Sequence, residues 1–163
     1  MNIKNFGNIL TFGIGILIFS FSVFLTIKIA QNTSGNLTLA IISLIIFYWL
    51  SYLFIATSLI RMEYRKSEKG INIKINNEDK QLVIKNTGNG KSEVINNDNV
   101  KSIELYYSWN TNPFSSDLGY SKIMLNNDSK IFITQDKISQ AEIKSLFRKK
   151  VKKEKSQFMN KLK

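Results

Sequence analysis

Two stretches free of any charged side chain, residues 5–27 and 29–60, set the frame for everything else in this chain. Most of residues 5–27 are Ile, Leu, Phe, Val or Gly, and 37–60 reads LTLAIISLIIFYWLSYLFIATSLI. Each exceeds the ~20 apolar residues that cross ~30 Å of hydrocarbon. In lipid a lone segment must satisfy its own backbone hydrogen bonds, so each stretch is predicted to be a helix. We place the spans at about 6–28 and 37–60. The link Gln31 to Asn36 (QNTSGN) is polar and short, so the helices should run antiparallel as a hairpin. A cleaved signal peptide fits poorly: the apolar region is too long, no small-x-small site follows, and a second span comes at once.

Flanking charge gives an orientation. Lys4 precedes the first span, Arg61, Arg65, Lys66 and Lys69 follow the second, and the link carries no Lys or Arg. Basic flanks stay inside, so both termini are expected in the cytoplasm. Lys28 is close enough to its interface to snorkel. Within the first span Thr11, Gly15, Ser22 and Thr26 fall near one face, at spacings of four, seven and four. Small residues let helices approach closely in lipid, so this face is expected to pack on a helix. The second span holds Tyr48, Trp49, Ser51 and Tyr52 near its middle, an unusual depth for Tyr and Trp. Polar bonds across the hairpin would explain them; an oligomer interface or polar pocket is the functional alternative. Neither span contains Asp, Glu or Arg, which gives an ion path little support.

Beyond residue 60 the chain changes character. All 12 acidic residues and 21 of the 23 basic ones lie there, a net charge of +9. Heavy use of Ile, Asn and Lys suggests an AT-rich bacterial genome. After RMEYRKSEKG the apolar residues alternate with polar ones, which is the period of a half-buried strand. Ile71, Ile73 and Ile75 make one run, Leu82 and Ile84 a second, and Val94 ends a third. Ile103, Leu105, Tyr107 and Trp109 make a longer fourth, Ile123 and Leu125 a fifth, and Ile131 and Ile133 a sixth. The turn-rich segments NNED (76–79), TGNG (87–90), NNDN (96–99) and NND (126–128) separate them. Six short strands with tight turns predict antiparallel meanders. Ile138, Ile143, Leu146, Phe147 and Val151 then form a stripe at helical spacing, with Ser139 and Glu142 as a capping box.

Two N-terminal spans, short strands and one closing helix resemble the bacterial membrane proteins that carry a PH-like domain. The soluble resemblance covers about 71–150. It rests on VKSIEL (100–105), KIMLNNDSKIFI (122–133) and ISQAEIKSLF (138–147). It implies an α+β fold with a membrane anchor: a transmembrane hairpin, then an antiparallel PH-like sheet domain closed by a C-terminal helix. The expected divisions are the hairpin at 1–66, the PH-like domain at 67–151 and a basic C-terminal tail at 152–163. The first hairpins are shorter than in eukaryotic PH domains and the first loop has no basic phosphoinositide motif, so phosphoinositide binding is not carried over.

The chemistry open to the chain is narrow. It has no cysteine and no histidine, which removes disulfides, thiolate nucleophiles, Cys/His zinc sites and imidazole acid–base catalysis. The Asn/Asp turns match no EF-hand spacing. Gly88 and Gly90 are followed by neither a helix start nor Lys-Ser/Thr, so they read as a hairpin turn rather than a phosphate loop. We therefore expect no catalytic residue, metal or cofactor.

Two surfaces remain as partner candidates. Residues 148–163 (RKKVKKEKSQFMNKLK) hold eight Lys/Arg and one Glu, a net charge of +7. Beside an anionic leaflet each such charge contributes ~1 kcal/mol. Lys149, Lys150, Lys152 and Lys153 are the expected membrane-surface contacts, with Phe158 inserting at the interface. The other candidate is the aromatic stretch 106–120, where Trp109 and Phe114 would meet a protein partner. Nucleic acid is set aside, because the tail lacks interleaved aromatics and a recognised module. The expected function is a membrane-anchored module that binds a lipid or protein partner at the cytoplasmic face of the bacterial inner membrane. The alternative is a small membrane immunity or regulatory factor acting through its hairpin, and a homo-oligomer stays open.

Overall fold

The structure is a computed structural model that describes residues 3–31, 36–76, 78–86, 90, 92–108 and 116–162, with residues 3–6 described by their backbone alone. It divides into two compact units, residues 1–61 and 62–163. The division falls a turn earlier than the expected one after residue 66.

The first unit holds two helices, α1 (Ile3–Gln31) and most of α2 (Leu37–Ser67). Both are long and apolar enough to cross a membrane. Only 11% and 6% of the residues in their most apolar windows are buried. This separates them from the core helix of a soluble protein, which hides such a window. The two run antiparallel. Thr26 Oγ1 meets the Tyr48 hydroxyl at 3.1 Å, the Ser51 hydroxyl donates to Gly15 O at 2.9 Å, and Asn8 Nδ2 donates to Ser58 O at 3.2 Å.

The second unit begins with the last turns of α2 and continues as two sheets. The first orders β1 (Ile71–Asn76), β2 (Gln81–Asn86) and β3 (Ser92–Ile95) as an antiparallel meander. The second orders β6 (Lys130–Thr134), β5 (Tyr120–Leu125), β4 (Val100–Ser108) and β7 (Val151–Gln157). Leu82, Ile84 and Ile95 from the first sheet share one core with Ile103, Leu105, Ile123 and Ile133 from the second. The turn chemistry does its expected work: Asn96 Oδ1 accepts the amides of Asp98 and Asn99, and Asn99 Oδ1 accepts the Asn96 amide.

The helix α3 (Gln140–Leu146) starts at the expected capping box: Ser139 Oγ accepts the Glu142 amide and Glu142 accepts the Ser139 amide. Its Ile143 and Leu146, with Phe147 after it, close the core. The fold is α+β, with two corrections to its finer outline. The helix stops at Leu146, well short of Val151, and a 3-10 turn over Arg148–Lys150 leads into β7. The sheet is also mixed: β7 pairs parallel with β4, from Ile103↔Val151 to Ser108↔Gln157. Residues 152–157, read as tail, are therefore strand. The open edge of β4 offers an unpaired ladder, and satisfying that backbone outweighs the helix preference of a Lys/Glu-rich segment.

Candidate functional site

In the hairpin the small-residue face of α1 carries close approach at one position. A Cβ placed on Gly15 would stand 2.8 Å from Ile55 Cγ1, 3.1 Å from Phe54 Cβ and 3.2 Å from the Ile55 amide. Gly13 has nothing within 4 Å, so the need for glycine is local to residue 15. Ser22 is fully buried and donates to Ile18 O; Thr26 bonds Ser22 O as well as Tyr48; Thr11 donates to Gly7 O within its own helix. Tyr48 and Ser51 are thus satisfied across the hairpin. Trp49 and Tyr52 are not: their rings lie 5.8 Å apart, more than half exposed, and no described residue accepts from either.

The basic segment is spread over three settings. Lys149 is exposed and Lys150 half-buried in the 3-10 turn, Lys152 is the extra residue where the register shifts, and Lys153 points from β7 across the sheet. Phe158 is half-buried. Trp109 and Phe114 lie outside the described residues.

What the sequence reading missed is the far face of the second sheet, opposite the core. Strand register lines up Phe132, Lys122, Glu104 and Lys153 in one row across four strands, and Thr134, Tyr120, Tyr106 and Lys155 in the next. Tyr106 stacks on Tyr120 at 4.5 Å and 16°, and Lys153 Nζ sits 5.8 Å over the Tyr106 ring. The Tyr106 hydroxyl donates to Glu104 Oε2 at 2.7 Å, and Lys122 Nζ lies 3.7 Å from the same oxygen. That hydroxyl bond, with the charges of Lys122 and Lys153, holds the Glu104 carboxyl below its ordinary range against the opposing effect of burial. Burial and the Glu104 bond push the Tyr106 phenol up, so it stays neutral. Lys122 and Lys153 flank the Glu104 carboxylate, and Lys155 lies one row further on beside Tyr106. Period-two alternation puts Lys122 opposite Ile123, but only the register brings it and Lys153 to the two sides of Glu104.

The same face carries the end of α2. Tyr64 packs edge-on against Tyr120 and donates to Asn160 O at 2.6 Å. Asn160 Nδ2 in turn donates to Tyr107 O and Leu118 O, tying the two ends of the aromatic loop together. Glu68 is buried: its main-chain O accepts the Ile71 amide and its Oε1 accepts the Thr134 amide at 2.8 Å, so it joins the first strand of one sheet to the edge strand of the other. Beside that junction lies a cleft of about 480 Å³. Ile71, Ile84, Asn86, Ser92 and Glu93 of the first sheet line it, together with residues 130–132 of β6. Among the described residues no three Asp or Glu side chains converge to hold a metal. Comparison with protein-family models, curated proteins and solved structures finds no match to this chain, so its site is read from its own geometry.

Proposed function

We propose that the chain is a membrane-anchored interaction module of the bacterial inner membrane, with both termini and the sheet unit in the cytoplasm. The orientation rests on Lys4, Arg61, Arg65, Lys66 and Lys69 against a link with no basic residue. The PH-like reading is favoured by two three-strand meanders followed by a capped helix; the parallel β7 departs from that pattern. The observation that carries the function is the lysine face of the second sheet. Lys122, Lys153 and Lys155 share the face on which Tyr64 packs, and Tyr64 stands four residues past Ile60, the last residue of the charge-free stretch. A basic surface joined to a membrane span by so short a stretch of chain is drawn to an anionic leaflet, and each lysine adds ~1 kcal/mol. The lysines of 149–153 act as part of the same field rather than as a free tail.

The test uses the full chain reconstituted in vesicles of neutral lipid, or neutral lipid with one-third phosphatidylglycerol, and labels lysines with an amine reagent. The exposed Lys153 and Lys155 should be protected several-fold in the anionic vesicles only. The protection should vanish at 1 M salt, where the screening length falls to ~3 Å. Equal labelling in both membranes sinks the lipid reading.

One observation favours the alternative, in which the hairpin itself engages a membrane partner. Trp49 and Tyr52 turn an N–H and an O–H outward near the middle of α2 with no acceptor among the described residues. A third helix bearing an acceptor would satisfy them. Tyr52→Phe should then weaken capture of that partner and leave the lysine protection unchanged.

A further inference from the structure

The ladder between β5 and β6 fixes which way each backbone group of β6 points. Leu125 N–H bonds Ser129 O and Gln135 N–H bonds Gly119 O, so the odd-numbered residues of 129–135 face β5. The even-numbered residues face away. Thr134 is one of these, and its outward groups are used: Glu68 accepts its N–H, and the amides of Lys137 and Ile138 share its C=O. Lys130 and Phe132 are the others. Their N–H and C=O groups point into the cleft lined by Ile71, Ile84 and Glu93, and no described residue bonds them.

We infer that this cleft binds an extended polypeptide segment by strand addition to the 130–132 edge of β6. Two donors and two acceptors alternating on a two-residue repeat of ~6.8 Å match another β-strand and no compact small molecule. Ordinary edge strands are blunted by charge, bulges or a covering segment. Here Glu68 blunts only the Thr134 end, and what remains open is recessed between two sheets with apolar Ile71 and Ile84 opposite. Glu93 and Lys130, the charged residues of the lining, select the flanking charges of the segment. The inference gives the interaction module a protein partner of stated form. It rests on the sheet unit alone and not on the lysine face, so either can fail without the other.

The test uses the full chain in neutral-lipid nanodiscs and a fluorescein-labelled hexapeptide of alternating valine and threonine. A second peptide of the same sequence, N-methylated at every other residue, cannot pair as a strand. The plain peptide should bind and the methylated one should bind at least tenfold more weakly. Phe132→Pro removes one outward N–H while sparing the bonds to β5, since proline is tolerated where the N–H faces away from the ladder. It should cost about tenfold in affinity, the worth of one backbone hydrogen bond. The Phe132 amide should exchange quickly in the free protein and slowly with peptide bound. Equal binding of both peptides, no binding of either, or a slowly exchanging Phe132 amide without peptide overturns the inference. Self-association abolished by Phe132→Pro also overturns it, because the occupant is then a second copy. If Phe132→Pro does not fold, the two peptides and the exchange measurement still decide.

Discussion

Leu17 and Ile45 in the hairpin are 71% and 64% exposed, whereas Ile103 and Phe147 in the sheet unit have no exposed surface. The polar groups differ as well. In the hairpin, Thr11, Ser22, Ser43 and Thr57 turn back onto carbonyls three or four residues earlier in their own helix. In the sheet unit, Glu68, Asn160 and Tyr64 bond across long sequence separations. One unit bonds its polar groups within a helix or directly across the hairpin and presents Leu and Ile outward. The other hides Leu and Ile and uses buried polar groups to join distant segments. The physical difference is the medium. Beside hydrocarbon, apolar side chains gain little by meeting one another and polar groups must bond within the protein; beside water, burying apolar side chains is the main driving force.

The sharpest way to break this contrast is to truncate one side chain in each unit. Phe147→Ala should lower stability by about 3–5 kcal/mol, the ordinary cost of emptying a fully buried aromatic site. Leu17→Ala should leave the melting temperature in detergent unchanged. Comparable losses from both would mean that the hairpin has a packed core of its own.

Next comes the polar junction. Glu68→Ala strands the buried Thr134 amide and should cost about 1–3 kcal/mol, while Glu68→Gln keeps an acceptor and should recover most of it. Chemical denaturation of both variants reads the difference. Equal loss in the two would show that the charge, rather than the hydrogen bond, matters there.

Gly15→Leu sharpens the hairpin side. Ile55 and Phe54 leave no room for the new side chain, so the helices must separate, at a cost of about 1–3 kcal/mol. Gly13→Leu meets open space and serves as the control. Crosslinking between α1 and α2 should fall in the first variant and persist in the second.

The smallest effect is on pH. Glu104 titrates below its ordinary 4.5 when folded, because the Tyr106 hydroxyl donates to it and Lys122 and Lys153 lie near. A depressed carboxylate contributes stability above its unfolded pKa, lost as pH falls through the folded value. The sheet unit should therefore lose a small part of its stability through this residue as pH falls below the ordinary glutamate range. Glu104→Gln should flatten that part of the acid profile. An unchanged profile would remove Glu104 from the lysine face as an organising charge.

Much of this was legible in the residues. The charge-free stretches marked both long helices, and alternating Ile and Leu with Asn-rich turns marked six strands in their places. The Ser139–Glu142 pair marked the start of α3. These features are local: each depends on a side chain's period or on a cap within three residues. Residues 151–157 escaped because β7 is an edge strand exposed along most of its length, so its sequence KKEKSQ carries no apolar alternation. The stripe that included Val151 suggested a longer helix because helix and edge strand share that polar composition.

The sequence by itself therefore determined the two long apolar helices, the six-strand order of β1 to β6 and the capped helix, since hydropathy and turn chemistry act over a few residues. Only the tertiary structure decided that β7 lies parallel to β4, that Lys122 and Lys153 flank Glu104, that Gly15 rather than Gly13 meets a neighbouring helix, and that Glu68 closes one end of an edge whose other end stays open. Each of these depends on register or on the approach of segments tens of residues apart, and backbone pairing at that distance leaves no periodic mark in the chain.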